Sequence, residues 1–240
     1  MAAAAPQIIS PTTPLSNPRQ RWHELALVTT IAFADPLLGS LYYLLHGSNA
    51  PTSVWNFRWV HGLLQMFVCL ALLRYVLQRS HRKFRDLGVS FKIKDVVTGL
   101  GLAMLAYFAY AIGTLLINLV VVKLGAQIAP SSNPWRGSWT MVAVPYILLA
   151  PFFEELLVRA YLMTEIVELT GSRLLAIGAS TSLQAAYHLY YGTVTAASML
   201  FLFGTFAVYY ARKRRAWPII VAHESFDIFA LIWMALGGAR

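Results

Sequence analysis

The sequence predicts an all-α fold, a polytopic transmembrane helical bundle of about seven spans. Three observations carry that reading. Of the 240 residues, 58% are hydrophobic and only 12% charged, with mean hydropathy +0.59, whereas soluble domains carry roughly a quarter charged residues. Apolar runs recur at lengths near the ~20 residues that a helix needs to cross the hydrocarbon core. Basic residues gather between alternate runs rather than along one soluble face.

Taken in order, residues 1–22 are rich in Pro, Ser, Thr and Ala and read as a flexible cytoplasmic tail. Arg19 and Arg21 precede the first apolar run, which has no clear small-residue cleavage site and so predicts an uncleaved anchor. The predicted spans are 24–45, 58–78, 96–122, 139–164, 174–192, 193–211 and 216–236. The fifth and sixth meet near Gly192 as a helical hairpin, and no internal repeat is visible. Residues 23–138 thus form N-terminal transmembrane helices, and 139–236 a core that carries the chemistry. Between the second and third spans, RSHRKFRDLGVSFKIKD (79–95) mixes cations with Phe84, Leu87, Val89, Phe91 and Ile93. It predicts either a segment along the cytoplasmic interface, against anionic headgroups, or a plain basic loop.

Charge asymmetry tests the count. With the N-terminus inside, fourteen Lys and Arg fall on the cytoplasmic side, among them the 79–94 cluster and the run Arg212–Arg215. Only Arg58, Lys123, Arg136 and Arg240 fall outside, and Arg159 is intramembrane, which accounts for all 19. The positive-inside rule therefore favours seven spans, N-in and C-out. The same distribution explains the net charge of +9 and the pI of 9.8 without nucleic acid, whose Gly-aromatic motifs are missing. Cys69, the single cysteine, lies in an apolar run. It excludes an intrachain disulfide, a CxxC pair and a multi-thiolate zinc site.

Ionisable groups inside the spans are the informative residues, since each costs roughly 2.5–3.5 kcal/mol at mid-membrane. In PFFEELLVRAY (151–161), Glu155 and Arg159 are i,i+4 neighbours, about 40° apart on a helix. Glu154 is about 140° from Arg159, which leaves it free to face a cavity. Pro151 deprives the Ile147 carbonyl of its helical donor and predicts a kink before the acids. His188 ends the next cluster, where Tyr190 and Tyr191 would equally suit an interfacial aromatic belt. In WPIIVAHESFDIF (217–229), His223 and Asp227 share a face at i,i+4, while Glu224 points about 100° away. Asp35 and His61, lacking a partner at helical spacing, read as packing or loop-edge residues.

These groups suit hydrolysis, which needs an activated water and a stabilised oxyanion. Glu154 and His188 could share and activate a water, and His223 could donate to the oxyanion. Serine, cysteine and HExxH chemistries have no motif here. Glu154, His188 and His223, with Asp227, also form an N/O ligand set that suits zinc. Spacing leaves both mechanisms open.

The motifs EExxxR at Glu154–Arg159, a histidine at His188, and HxxxD at His223–Asp227 resemble the CPBP family. Its members include type II CAAX prenyl endopeptidases, bacteriocin-processing proteins and Abi-like relatives. The likeness covers roughly residues 140–230, and FRDLG (84–88) is similar to the family's interfacial segment. It implies an all-helical intramembrane protease, glutamic or metallo, whose site opens towards the cytoplasm. It further implies Glu154 and His188 as water-activating residues, His223 with Asp227 as the oxyanion site, and Glu155 with Arg159 as structural support. Family abundance implies a bacterial inner membrane. Two positions depart from the pattern: Gln184 replaces an aromatic, and Asp227 replaces the Asn of the prenyl endopeptidases.

The expected function is therefore hydrolysis of a membrane-proximal peptide bond in a hydrophobic or lipidated peptide. A membrane scaffold or bacteriocin-immunity protein of the same fold is the alternative. A proton-coupled transporter is a third reading, disfavoured because repeats are lacking.

Overall fold

The structure, a computed structural model, describes residues 17–46, 55–125 and 141–236. The regular structure among these residues is helical, without strands, and includes seven long helices. They are α1 (Pro18–His46), α2 (Trp55–Arg79), α3 (Lys94–Lys123), α4 (143–170), α5 (Arg173–Tyr187), α6 (Thr193–Lys213) and α7 (Trp217–Ala235). Four segments are individually long and apolar enough to cross a membrane: Pro18–His46, Phe57–Arg79, Lys94–Lys123 and Thr193–Lys213. Helix α4 carries too many charges to qualify, and α5 has only 15 residues.

Most of the predicted tail lies outside the described residues, but its last part is helix. Helix α1 starts at Pro18, ahead of the predicted 24, because Arg21 is paired rather than free. Arg21 bridges Glu165 and Glu168 near the end of α4, each at 2.6 Å. Helix α4 overruns its predicted end at 164 for the same reason: those glutamates have partners that let the helix continue past the apolar stretch. Further ties gather at this end of the bundle. Arg82, just after α2, bonds Glu165, Arg214 meets Glu168 at 3.7 Å, and Arg215 holds Asp95 of α3 at 2.6 Å. The starts of α1 and α3 and the ends of α2, α4 and α6 therefore share one end, as a strict up-and-down chain requires.

The segment after α2 is docked on that basic end rather than looping away from it. A short 3₁₀ turn, Phe84–Leu87, buries Leu87 completely, and Phe91 packs edge-on against Trp217 at 5.2 Å. Gly88 closes the turn at φ 75°, and a Cβ there would strike the Arg214 carbonyl. Its own carbonyl accepts from Ala216 N at 3.2 Å.

Helix α4 runs through Pro151 and then widens. Residues Glu155–Met163 wind as a π-helix, every one of them buried, between α-helical Ala143–Glu154 and Thr164–Thr170. The irregularity thus begins after the proline, at the second acid. Such wide turns concentrate at functional sites. Helix α3 packs on α6 and α7 and turns Leu100, Leu105, Phe108, Ile112 and Leu116 outward. A stripe of that size belongs against lipid rather than water.

Candidate active site

The two adjacent glutamates go separate ways. Glu155 is fully buried and lies 3.3 Å from Arg159 Nε as an i,i+4 ion pair. The two atoms meet without the alignment of a hydrogen bond. Its other oxygen accepts from His223 Nδ1 at 2.8 Å, across 68 residues, joining α4 to α7. Arg159, also fully buried, donates to the Phe203 carbonyl at 3.2 Å and lies over the Phe203 ring, 5.3 Å from its centroid. Glu155, Arg159 and His223 therefore tie α4, α6 and α7 together.

Glu154 instead reaches a cavity of about 440 Å³. Its Oε2 accepts from the Tyr187 hydroxyl at 2.6 Å and from Gln184 Nε2 at 3.1 Å. No cation pairs with it among the described residues. The same Gln184 amide lies 3.4 Å from Glu155, so one side chain spans both acids. The position that departs from the family pattern thus holds the two glutamates apart in register.

His188 caps α5 at its C-terminus, and its Nδ1 lies 2.7 Å from the Gln184 carbonyl. A carbonyl only accepts, so Nδ1 carries the proton and a neutral ring presents a free lone pair at Nε2. Tyr190 and Tyr191 flank this ring. Phe203 separates the two histidines, with its centroid 5.1 Å from His188 and 5.8 Å from His223.

Asp227 stands apart from this network. It forms no hydrogen bond with His223, whose Nδ1 is taken by Glu155, although it stays within electrostatic reach. Asp35 and His61 also depart from expectation: both line the cavity that Glu154 enters. Tyr187, Gln184 and Phe203 are contributors that sequence reasoning did not assign. Tyr187 was signalled only by its place beside His188.

The zinc alternative requires free donor atoms of Glu154, His188 and His223 aimed at one point. Among the described residues, no three His, Cys, Asp or Glu side chains are grouped in that way. The residues as arranged do not fit a metal centre, and no step is assigned to one.

The element carrying these groups matches a known family. Residues 136–229 fit the family model described as Type II CAAX prenyl endopeptidase Rce1-like. This segment resembles the Rce1-like endopeptidases of the CPBP family. Within the described residues the domain comprises α4, α5, α6 and the first two-thirds of α7, and so holds Glu154, Glu155, Arg159, His188, His223 and Asp227. Helices α1 and α2, which supply the opposite wall of the cavity, lie outside the Rce1-like domain. No match was found among curated proteins or among solved structures.

Proposed function

We propose that the chain is an intramembrane endopeptidase that hydrolyses a membrane-proximal peptide bond in a hydrophobic or lipidated peptide. The observation that carries the reading is the division of labour between the two glutamates. Glu155 is consumed by Arg159 and His223, while Glu154 faces a cavity held only by neutral donors. In this reading Glu154 takes a proton from a water shared with His188 Nε2. The water oxygen attacks the peptide carbonyl, the C–N bond breaks, and Glu154 returns the proton to the leaving amine. His223, its Nδ1 anchored on Glu155, donates from Nε2 to the oxyanion when that nitrogen is protonated. Asp227 tunes the charge at His223 without bonding it. The chain sits as seven spans, N-in and C-out, in a bacterial inner membrane, with its basic end against anionic headgroups.

The test compares peptide termini of membrane proteins from cells carrying the wild type and Glu154→Gln, at matched expression. Termini produced only by the wild type are expected. Full activity in both Glu154→Gln and His188→Ala overturns the proposal. The buried Glu155–Arg159–His223 network favours one rival, a scaffold or immunity protein whose polar groups only join helices. Under that rival Glu154→Gln is silent while Glu155→Ala unfolds the protein.

A further inference from the structure

Behind the two glutamates, α4 and α5 enclose polar atoms that find no partner in the protein. Glu155 and Arg159 are one turn apart on α4, and Ser180 and Gln184 are one turn apart on α5. A short turn at 171–172 joins the two helices, which pack on each other and run antiparallel. The Gln184 amide lies 3.4 Å from Glu155, and this register sets Arg159 level with Ser180. Four side-chain atoms there are buried without a hydrogen bond: Arg159 Nη1, Ser180 Oγ, Thr181 Oγ1 and Gln184 Oε1. Leaving buried polar atoms unpaired is costly.

Ser180 and Thr181 are set apart by the bond that their hydroxyls forgo. A serine or threonine inside a helix can fold back onto the carbonyl four residues earlier. Thr98, Thr114, Thr170, Ser198, Thr205 and Ser225 all do so. Ser180 and Thr181 do not, although both are buried. There is also room beside them. Arg159 Nη2 donates to the Phe203 carbonyl of α6. At the next residue, Gly204, an added Cβ would meet nothing closer than Thr181 Cγ2 at 3.9 Å. At Gly99 and Gly113, where α3 packs tightly, the same Cβ would strike Val221 and Phe201.

The donor and acceptor pattern narrows the occupant of such a space. Arg159 can only donate, and the Gln184 amide oxygen can only accept. The amide cannot be turned over, because both neighbours of Nε2 are carboxylate oxygens that need a donor. Arg159 repels a cation, and Glu155 repels an anion. Water accepts from Arg159 Nη1, donates to Gln184 Oε1 and bonds Ser180 Oγ, which makes the about three bonds usual for a buried water. We infer that Arg159, Ser180 and Gln184 hold a buried water between α4 and α5, and that this water orients the Gln184 amide towards both glutamates. None of the three residues lines the cavity at Glu154, so this water is distinct from the one that attacks the peptide. Resting on the protease reading, Ser180 becomes a positioning residue: it fixes the water, the water fixes the amide, and the amide fixes Glu154.

A crystal structure of the full-length protein, at a resolution that shows ordered water, reads the site directly. Water density within hydrogen-bond distance of Arg159 Nη1 and Gln184 Oε1 is expected. In the structure of Ser180→Ala that density should weaken and the Gln184 amide should turn from Glu154. The rate at which new peptide termini appear should fall by about 2–10-fold in Ser180→Ala, the worth of one hydrogen bond. Ser180→Thr, which keeps the hydroxyl and adds a methyl group, should stay near wild type. A packing role alone would rank the two variants the other way, and that ranking overturns the inference. So does wild-type density without water between Arg159 and Gln184, or an amide unmoved in Ser180→Ala after the water is lost. Because the water is read from density, it stands even if Glu154→Gln proves silent, and its absence counts against the inference even where proteolysis is real.

Discussion

The two halves of the bundle treat carboxylates in opposite ways. At the basic end Glu165, Glu168 and Asp95 each face at least one arginine, with contacts as short as 2.6 Å. Away from that end, Asp35, Glu154, Glu224 and Asp227 have no ion-pair partner among the described residues. The boundary runs between two consecutive residues. Glu155 belongs with the structural acids and Glu154 with the uncompensated ones, and the π-helix begins between them. Of the four uncompensated acids, Asp35 and Glu154 line the cavity.

Breaking the cavity half should give the largest effect on activity and the least on folding. Glu154→Gln keeps the size of the side chain and its capacity to accept from Tyr187, but removes the base. A general base contributes roughly 10²–10⁴-fold to rate, so Glu154-dependent termini should fall by that order while thermal unfolding in detergent stays near wild type. Glu155→Ala should show the reverse emphasis. It strands Arg159, which is fully buried, and removing one partner of a buried pair costs about 3–5 kcal/mol. Equilibrium unfolding in detergent should report a loss of that size, and Glu155→Ala/Arg159→Met should recover much of it. A Glu155→Ala protein as stable as wild type would dissolve the contrast between the two acids.

What the sequence made legible follows from the range of each interaction. The apolar runs and basic clusters locate seven helices with ends up to six residues out, because both signals are local. The Glu155–Arg159 pair was legible for the same reason, being one turn apart on one helix. The Glu155–His223 bond, the Gln184 bridge and the Tyr187 hydroxyl on Glu154 were not. They join residues roughly 30 to 70 apart, and nothing in either strand of sequence announces the meeting. Asp35 and His61 were misread by a rule that looks for partners on the same helix, whereas their shared feature is a cavity between helices. Gln184 was visible only as a departure from a family pattern. Its physical reason emerges once both glutamates are seen to share its amide.

Tyr187 sharpens the comparison at intermediate size. Its hydroxyl is the shortest contact to Glu154, at 2.6 Å, and hydrogen bonds to charged groups are worth about 1.5–3 kcal/mol. Tyr187→Phe removes that bond and keeps the ring stacked on Phe33, whose centroid is 5.2 Å away. Peptide cleavage should therefore slow by roughly 10–100-fold if the bond orients Glu154 in the transition state, with little change in unfolding. An unchanged rate would mean that Gln184 alone positions the base.

The smallest effect belongs to the exposed side of the basic end. Glu168 is 39% exposed and shares its arginines with Glu165, which is 3% exposed. Exposed ion pairs contribute about 0–1 kcal/mol and weaken with salt. Glu168→Gln should thus lower stability by less than about 1 kcal/mol, with the difference from wild type shrinking as salt rises, and should leave the production of new termini unchanged. Glu165 continues to hold Arg21 and Arg82, so that end of the bundle stays tied. If Glu168→Gln instead abolished cleavage in a folded protein, the basic end would be part of the reaction path and the separation of the two halves would fail.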